Sequence, residues 1–125
     1  MLQLTTIIFV ICFSMLALLH IVALQLSLYW YFPWLDLVMH AFGGSIITLG
    51  FFTLRDLKIY PNNLLTIKPI LFFLLCIAIL WELFELWAGV PIQGDFILDT
   101  SLDLMCGLLG GYVGYIVGTS LRSLR

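Results

Sequence analysis

Residues 66–88 read TIKPILFFLLCIAILWELFELWA. No charged residue stands between Lys68 and Glu82. At the spanning length of about 20 residues, this run crosses the hydrocarbon core of a bilayer as a helix. Its ends differ in kind, with a lysine at one and the pair Glu82 and Glu85 at the other. Three more runs share its character, so the chain reads as four spans at about 4–29, 35–54, 66–88 and 99–120. The predicted fold is an all-α polytopic membrane protein, and with no repeat, linker or low-complexity tract it forms one domain over residues 1–125. Of its 125 residues 63% are hydrophobic and 10% charged. Soluble domains run near 45–50% apolar, so an ordinary soluble protein is excluded. A net charge of −2 offers no basic surface for a phosphate backbone, which excludes nucleic acid as a partner.

The connections are short. The first carries an aromatic belt around Tyr29, Trp30, Tyr31 and Trp34, with Pro33 placed for a turn or helix start. The second, residues 55–68, holds the turn signal Tyr60-Pro61-Asn62-Asn63. The third, residues 88–98, contains Gly89, Pro91 and Gly94, and whether it lids a pocket is open. Every Lys and Arg (Arg55, Lys58, Lys68, Arg122 and Arg125) falls on one side of this topology. The positive-inside rule makes that side, with both termini, cytoplasmic. The first run lacks the basic leader and small-residue exit of a cleaved signal, and reads as a retained span. Cys12, Cys76 and Cys106 sit singly inside apolar runs, with no spacing for a disulfide framework or thiolate site. Gly107, Gly110, Gly111, Gly114 and Gly118 form two interlocked GxxxG registers in the fourth span. Their neighbour is either the second span, with Gly43, Gly44 and Gly50, or another chain, as a homo-oligomer or a larger membrane partner.

The acidic residues carry the chemistry. Asp36 and His40 are spaced i,i+4, Glu82 and Glu85 i,i+3, and Asp99 and Asp103 i,i+4, so each pair shares one helix face. Alternating chain direction puts all three pairs at one depth, on the extracytoplasmic side. Two carboxylates about 5 Å apart repel by roughly 3 kcal/mol at an effective dielectric near 20. No Lys or Arg on that side balances them, so the missing charge is expected to be divalent cations, protons or both. Oxygen ligands with one imidazole suit Mg²⁺, Mn²⁺, Ca²⁺ or Zn²⁺. The expected ligands are His40, Glu82, Glu85, Asp99 and Asp103, with Asp36 orienting His40 or acting as general base and His20 as an additional ligand or proton carrier. Asp36 and Asp99 also stand where an N-cap would, and Thr100-x-x-Asp103 has capping-box spacing, so capping is open for those two. The tryptophans and Tyr29 read as interfacial anchors.

No P-loop, GxSxG, HExxH or CxxCH motif is present. The succession Asp36-x-x-x-His40-x-x-x-Gly44, Trp81-Glu82-x-x-Glu85 and Asp99-Thr100-x-x-Asp103 resembles the small membrane proteins of the YjdF type and, more distantly, the VanZ-like family. The likeness covers roughly residues 34–115. VanZ-like proteins usually carry a lysine where this chain has Leu37 and a glutamine where it has Glu85, so the YjdF type is nearer. The VanZ-like family is associated with glycopeptide resistance, and the resemblance implies topology, site residues and a bacterial or archaeal plasma membrane, not a substrate. Three functions remain open. The first is metal-assisted hydrolysis or group transfer on a lipid-linked or headgroup substrate. The second is cation or proton transport through the same acids, with Thr5, Thr6, Thr48, Thr53, Thr66 and Thr119 as the polar groups of the other half. The third is a small accessory subunit docked through the glycine-lined fourth span.

Overall fold

The computed structural model describes residues 3–89 and 94–123, and every regular element among them is helical. In chain order these are α1 (Leu4–Gln25), α2 (Leu28–Tyr31), α3 (Trp34–Asp56), a 3-10 turn (Asn62–Leu64), α4 (Ile67–Ala88) and α5 (Phe96–Ser123). Four of them, α1, α3, α4 and α5, are long and apolar enough to cross a membrane. Residues 90–93 and 124–125 lie outside the described residues, and with them the centre of the 88–98 connection and Arg125.

The element ends correct the sequence boundaries. The first span is not one helix to residue 29. It stops at Gln25, and Ser27 turns left-handed (φ 54°) before α2 begins. A non-glycine residue in that region costs about 1–2 kcal/mol, and neither Gly nor Pro marks the break. What the break gains is position, because α2 brings the Tyr29 hydroxyl to 2.7 Å from Nδ1 of His20. α3 runs past residue 54 to Asp56 and closes on Lys58 (φ 61°). There the Ile59 amide donates to the Leu54 carbonyl (2.9 Å) and the Lys58 amide to that of Arg55 (2.8 Å), a Schellman motif with lysine where glycine is usual. α5 begins at Phe96 instead of 99, because the Asp95 carboxylate accepts the Leu98 amide at 3.0 Å and caps it.

The glycines explain how the bundle closes. A Cβ on Gly44 would land on the carbonyl of Gly107, and one on Gly110 on the carbonyl of Ala41. Gly114 faces the backbone of Ser45 and Gly118 the ring of Phe52. α3 and α5 thus touch backbone to backbone, and the Ser45 hydroxyl donates across the seam to the Gly110 carbonyl at 2.7 Å. Gly111 points instead at Leu74 of α4 and Thr48 of α3. The neighbours of the glycine stripe therefore come from the same chain. At the lysine- and arginine-bearing end, Phe51, Phe52, Leu65 and Ile70 form a buried cluster. α4 leans mainly on α5, whereas α1 leans mainly on α3 and buries only Thr5, Thr6 and Ala23.

Candidate metal centre

The start of α3, the end of α4 and the start of α5 meet at the acidic end of the bundle. α3 is capped by Pro33, which puts Asp36 inside its first turn, while Asp95 is the residue whose side chain caps α5. Neither Asp36 nor Asp99 is an N-cap, and Thr100 lies within α5, so the capping-box reading of Thr100 and Asp103 gives way. Thr100 turns across the bundle instead and donates its hydroxyl to Glu82 Oε2 at 3.0 Å.

His40 is the centre. Its Nε2 lies 3.7 Å from Asp36 Oδ1, 3.9 Å from Glu82 Oε1 and 3.9 Å from Asp103 Oδ1. These separations are too long for hydrogen bonds. They suit atoms arranged around a common centre, since four ligands about 2.1 Å from a metal stand roughly 3.4 Å apart in a tetrahedron, and longer bonds widen the spacing. Among the described residues two overlapping groups meet this geometry, Asp36/His40/Glu85 and His40/Glu82/Asp103, the ligand atoms of each within 4.8 Å of one another. Glu82 and Asp103 are buried, at 8% and 2% exposure. Glu82 Oε1 and Asp103 Oδ1, both 3.9 Å from the imidazole, find no hydrogen-bond partner among the described residues. A buried acceptor without a partner costs about 1–3 kcal/mol, more when charged. The residues thus fit a divalent cation: four carboxylates and an imidazole converge, two oxygens lack donors, and Arg55 and Lys58 stand at the far end of α3.

Surrounding contacts hold these groups in place. Trp81 donates its indole N–H to Glu85 Oε1 at 2.8 Å, and its ring packs edge-on against His20 with centroids 5.8 Å apart. His20 is hydrogen-bonded to Tyr29 and lies outside both cation-ready groups. Burial, reinforced by the charges of Asp36 and Glu85, raises the Tyr29 phenol to about 12, so it keeps its proton and can donate to His20. Asp99 stands one turn before Asp103, also outside the two groups, within electrostatic reach of Asp36, His40 and Glu82. Sequence reasoning missed Tyr29, Trp81 and Thr100. For the two aromatics the belt was the stronger signal, and for Thr100 the capping spacing was. The alternation of Trp81 with Glu85 at i,i+4 was the one available clue.

His20, Tyr29, Asp36, His40 and Glu85 line the polar end of one cavity of about 400 Å³. A second space of about 410 Å³, at the other end, is bounded by Gln3, Arg55, Asp56, Lys58, Tyr60 and Asn62. It holds none of the convergent carboxylates.

A family model described as "Predicted membrane protein (DUF2238)" matches residues 2–123. This is consistent with the YjdF-type resemblance and does not bear on the VanZ-like one. No curated protein and no solved structure matches the chain.

Proposed function

The chain belongs to this family of membrane proteins, and we propose that within the bilayer it binds a divalent cation at His40, Glu82 and Asp103, with Asp36 and Glu85 completing the pocket. The observation that carries this is the pair of buried, donorless oxygens, Glu82 Oε1 and Asp103 Oδ1, both aimed at one imidazole. A bound cation satisfies both and offsets the cluster's repulsion. Mg²⁺, Mn²⁺, Ca²⁺ and Zn²⁺ all suit the donor set. Asp99 is the outer carboxylate that draws the ion in. The function proposed is hydrolysis or group transfer on a lipid-linked or headgroup substrate, at the extracytoplasmic face of a plasma membrane. When bound, such an ion polarises a phosphoryl or carbonyl oxygen and eases deprotonation of water. The chain's own part is to fix the ligands through Thr100 and Trp81 and to keep a general base, Asp36, beside His40.

The test is metal content by mass spectrometry on detergent-purified protein. Near-stoichiometric metal is expected in the wild type and none in a Glu82→Ala/Asp103→Ala double variant. Equal, near-zero content in both after dialysis against each ion would overturn the reading. Turnover of phospholipids or polyprenyl phosphates by the loaded protein tests the reaction class.

Transport is the second reading, favoured by one observation. Thr6, Thr48 and Thr53 are buried toward the other half of the bundle, and their hydroxyls find no hydrogen-bond partner among the described residues. Cation or proton flux in proteoliposomes, abolished by Glu82→Gln, would put transport ahead of hydrolysis.

A further inference from the structure

The cavity whose polar end holds His20, Tyr29, Asp36, His40 and Glu85 continues between α1, α3 and α4. Its deeper wall is hydrocarbon: Leu16, Ile46, Ile47, Leu74, Ile77 and Ala78. The lining runs from Asp36 to Ile47 on α3 and from Leu74 to Glu85 on α4. That is about 16 Å of helix on each, roughly half the ~30 Å hydrocarbon thickness. α1 leans on α3 and α4 on α5, and beyond the His20–Trp81 ring contact at the polar end α1 and α4 are not packed closely along one another. Gly43 keeps the wall thin, because a Cβ there would find nothing nearer than Leu16 Cδ2 at 4.0 Å.

We infer that this cavity is a binding site for a single hydrocarbon chain of an anionic membrane lipid, entered sideways between α1 and α4, which sets the lipid's phosphate against the carboxylate–histidine cluster. The deeper, hydrocarbon part of the cavity offers water no hydrogen-bond partner, and at this depth the apolar molecules at hand are lipid chains. The polar groups are gathered at one end of the same space, so a chain lying in it has its head at the candidate cation site. The volume falls within the usual range for small-molecule sites. Recognition of the head rests on the proposed cation site, whereas recognition of the chain does not.

The experiment is photolabelling in phosphatidylcholine vesicles with a phosphatidic acid that carries a diazirine on its acyl chain. The adducts are mapped by mass spectrometry. Adducts are expected on Ile47, Leu74 and Ile77, and excess unlabelled phosphatidic acid should abolish them. They should be lost in Ala78→Phe, which fills the cavity, and retained in Leu80→Phe, which lies on the lipid face at 64% exposure. Adducts confined to outward residues such as Leu18 and Phe72, or wall adducts that ignore the competitor, overturn the inference. Both can be read on the wild type alone, so a misfolded Ala78→Phe does not decide the matter. Metal content measured on the same samples separates the two readings. Bound metal without wall adducts removes the chain site and keeps the cation site, and wall adducts without metal do the reverse.

Discussion

The two flanks of α3 are built on opposite terms. Toward α5, glycine lets backbone meet backbone, with the Ser45 hydroxyl bridging to the Gly110 carbonyl at 2.7 Å. Toward α1 and α4, the same helix borders a cavity of about 400 Å³. Lipid tails are as apolar as leucine, so a hydrophobic driving force cannot tell helix–helix from helix–lipid contact, and close packing must hold the bundle. The seam therefore carries the stability, and the other flank is free to hold a ligand. The candidate cation site sits where the two regimes meet, with Asp103 on the seam side and Asp36 and Glu85 on the cavity side.

The seam gives the largest expected effect. Gly110→Ala and Gly44→Ala each drive a methyl into a backbone carbonyl that no rotamer change can move. The helices must separate, so each substitution is expected to cost about 3 kcal/mol or more. Unfolding midpoints in mild detergent would read this. Midpoints at wild-type values would show that the seam is looser than its geometry, and the contrast between the flanks would go.

Next comes the junction of the two flanks. Thr100→Val keeps the shape and removes the hydroxyl that donates to Glu82 Oε2 at 3.0 Å. Loss of a group that orients a ligand typically weakens metal affinity about 10–100-fold. Metal titration by calorimetry should show that drop with little change in fold. An unchanged affinity would mean that Glu82 is held by packing alone. On the cavity side, Tyr29→Phe removes the hydroxyl that meets His20. It is expected to lower stability by roughly 1 kcal/mol and metal affinity less than Thr100→Val does, because His20 lies outside both cation-ready groups. A larger effect on metal than Thr100→Val would make His20 a ligand.

How much of this could be read from the sequence follows from the same division. The four spans were legible because bilayer thickness sets their length, and the pairing of Asp36 with His40, Glu82 with Glu85 and Asp99 with Asp103 on shared faces follows from helical period. Whether those faces meet depends on each helix's rotation about its own axis, which the sequence does not state. The partner of the glycine stripe was open for that reason, as were the cross-bundle contacts of Thr100 and His20. Local chemistry failed in a different way. Ser27 and Lys58 adopt the left-handed conformation where glycine is expected, so both helix ends lacked their signal. Asp95, inside the 88–98 connection, takes the capping role for which the sequence offers Asp99 as the candidate.

The smallest expected effect is the sharpest contrast, because a methyl added to Gly43 and one added to its neighbour Gly44 meet different surroundings. A methyl on Gly44 strikes the Gly107 carbonyl, whereas one on Gly43 meets only Leu16 Cδ2 at 4.0 Å, ordinary van der Waals contact. Replacing a helical glycine with alanine where space allows removes backbone freedom from the unfolded chain, and is worth about 0.5–1 kcal/mol. Gly43→Ala should therefore leave the unfolding midpoint unchanged or slightly raised, while Gly44→Ala, one residue on, lowers it sharply. Equal destabilisation by both would mean that the cavity flank is packed as tightly as the seam, and a hydrocarbon chain would have no room there. A neutral Gly43→Ala that also reduces photolabelling of the wall would place the lipid chain against Gly43 itself.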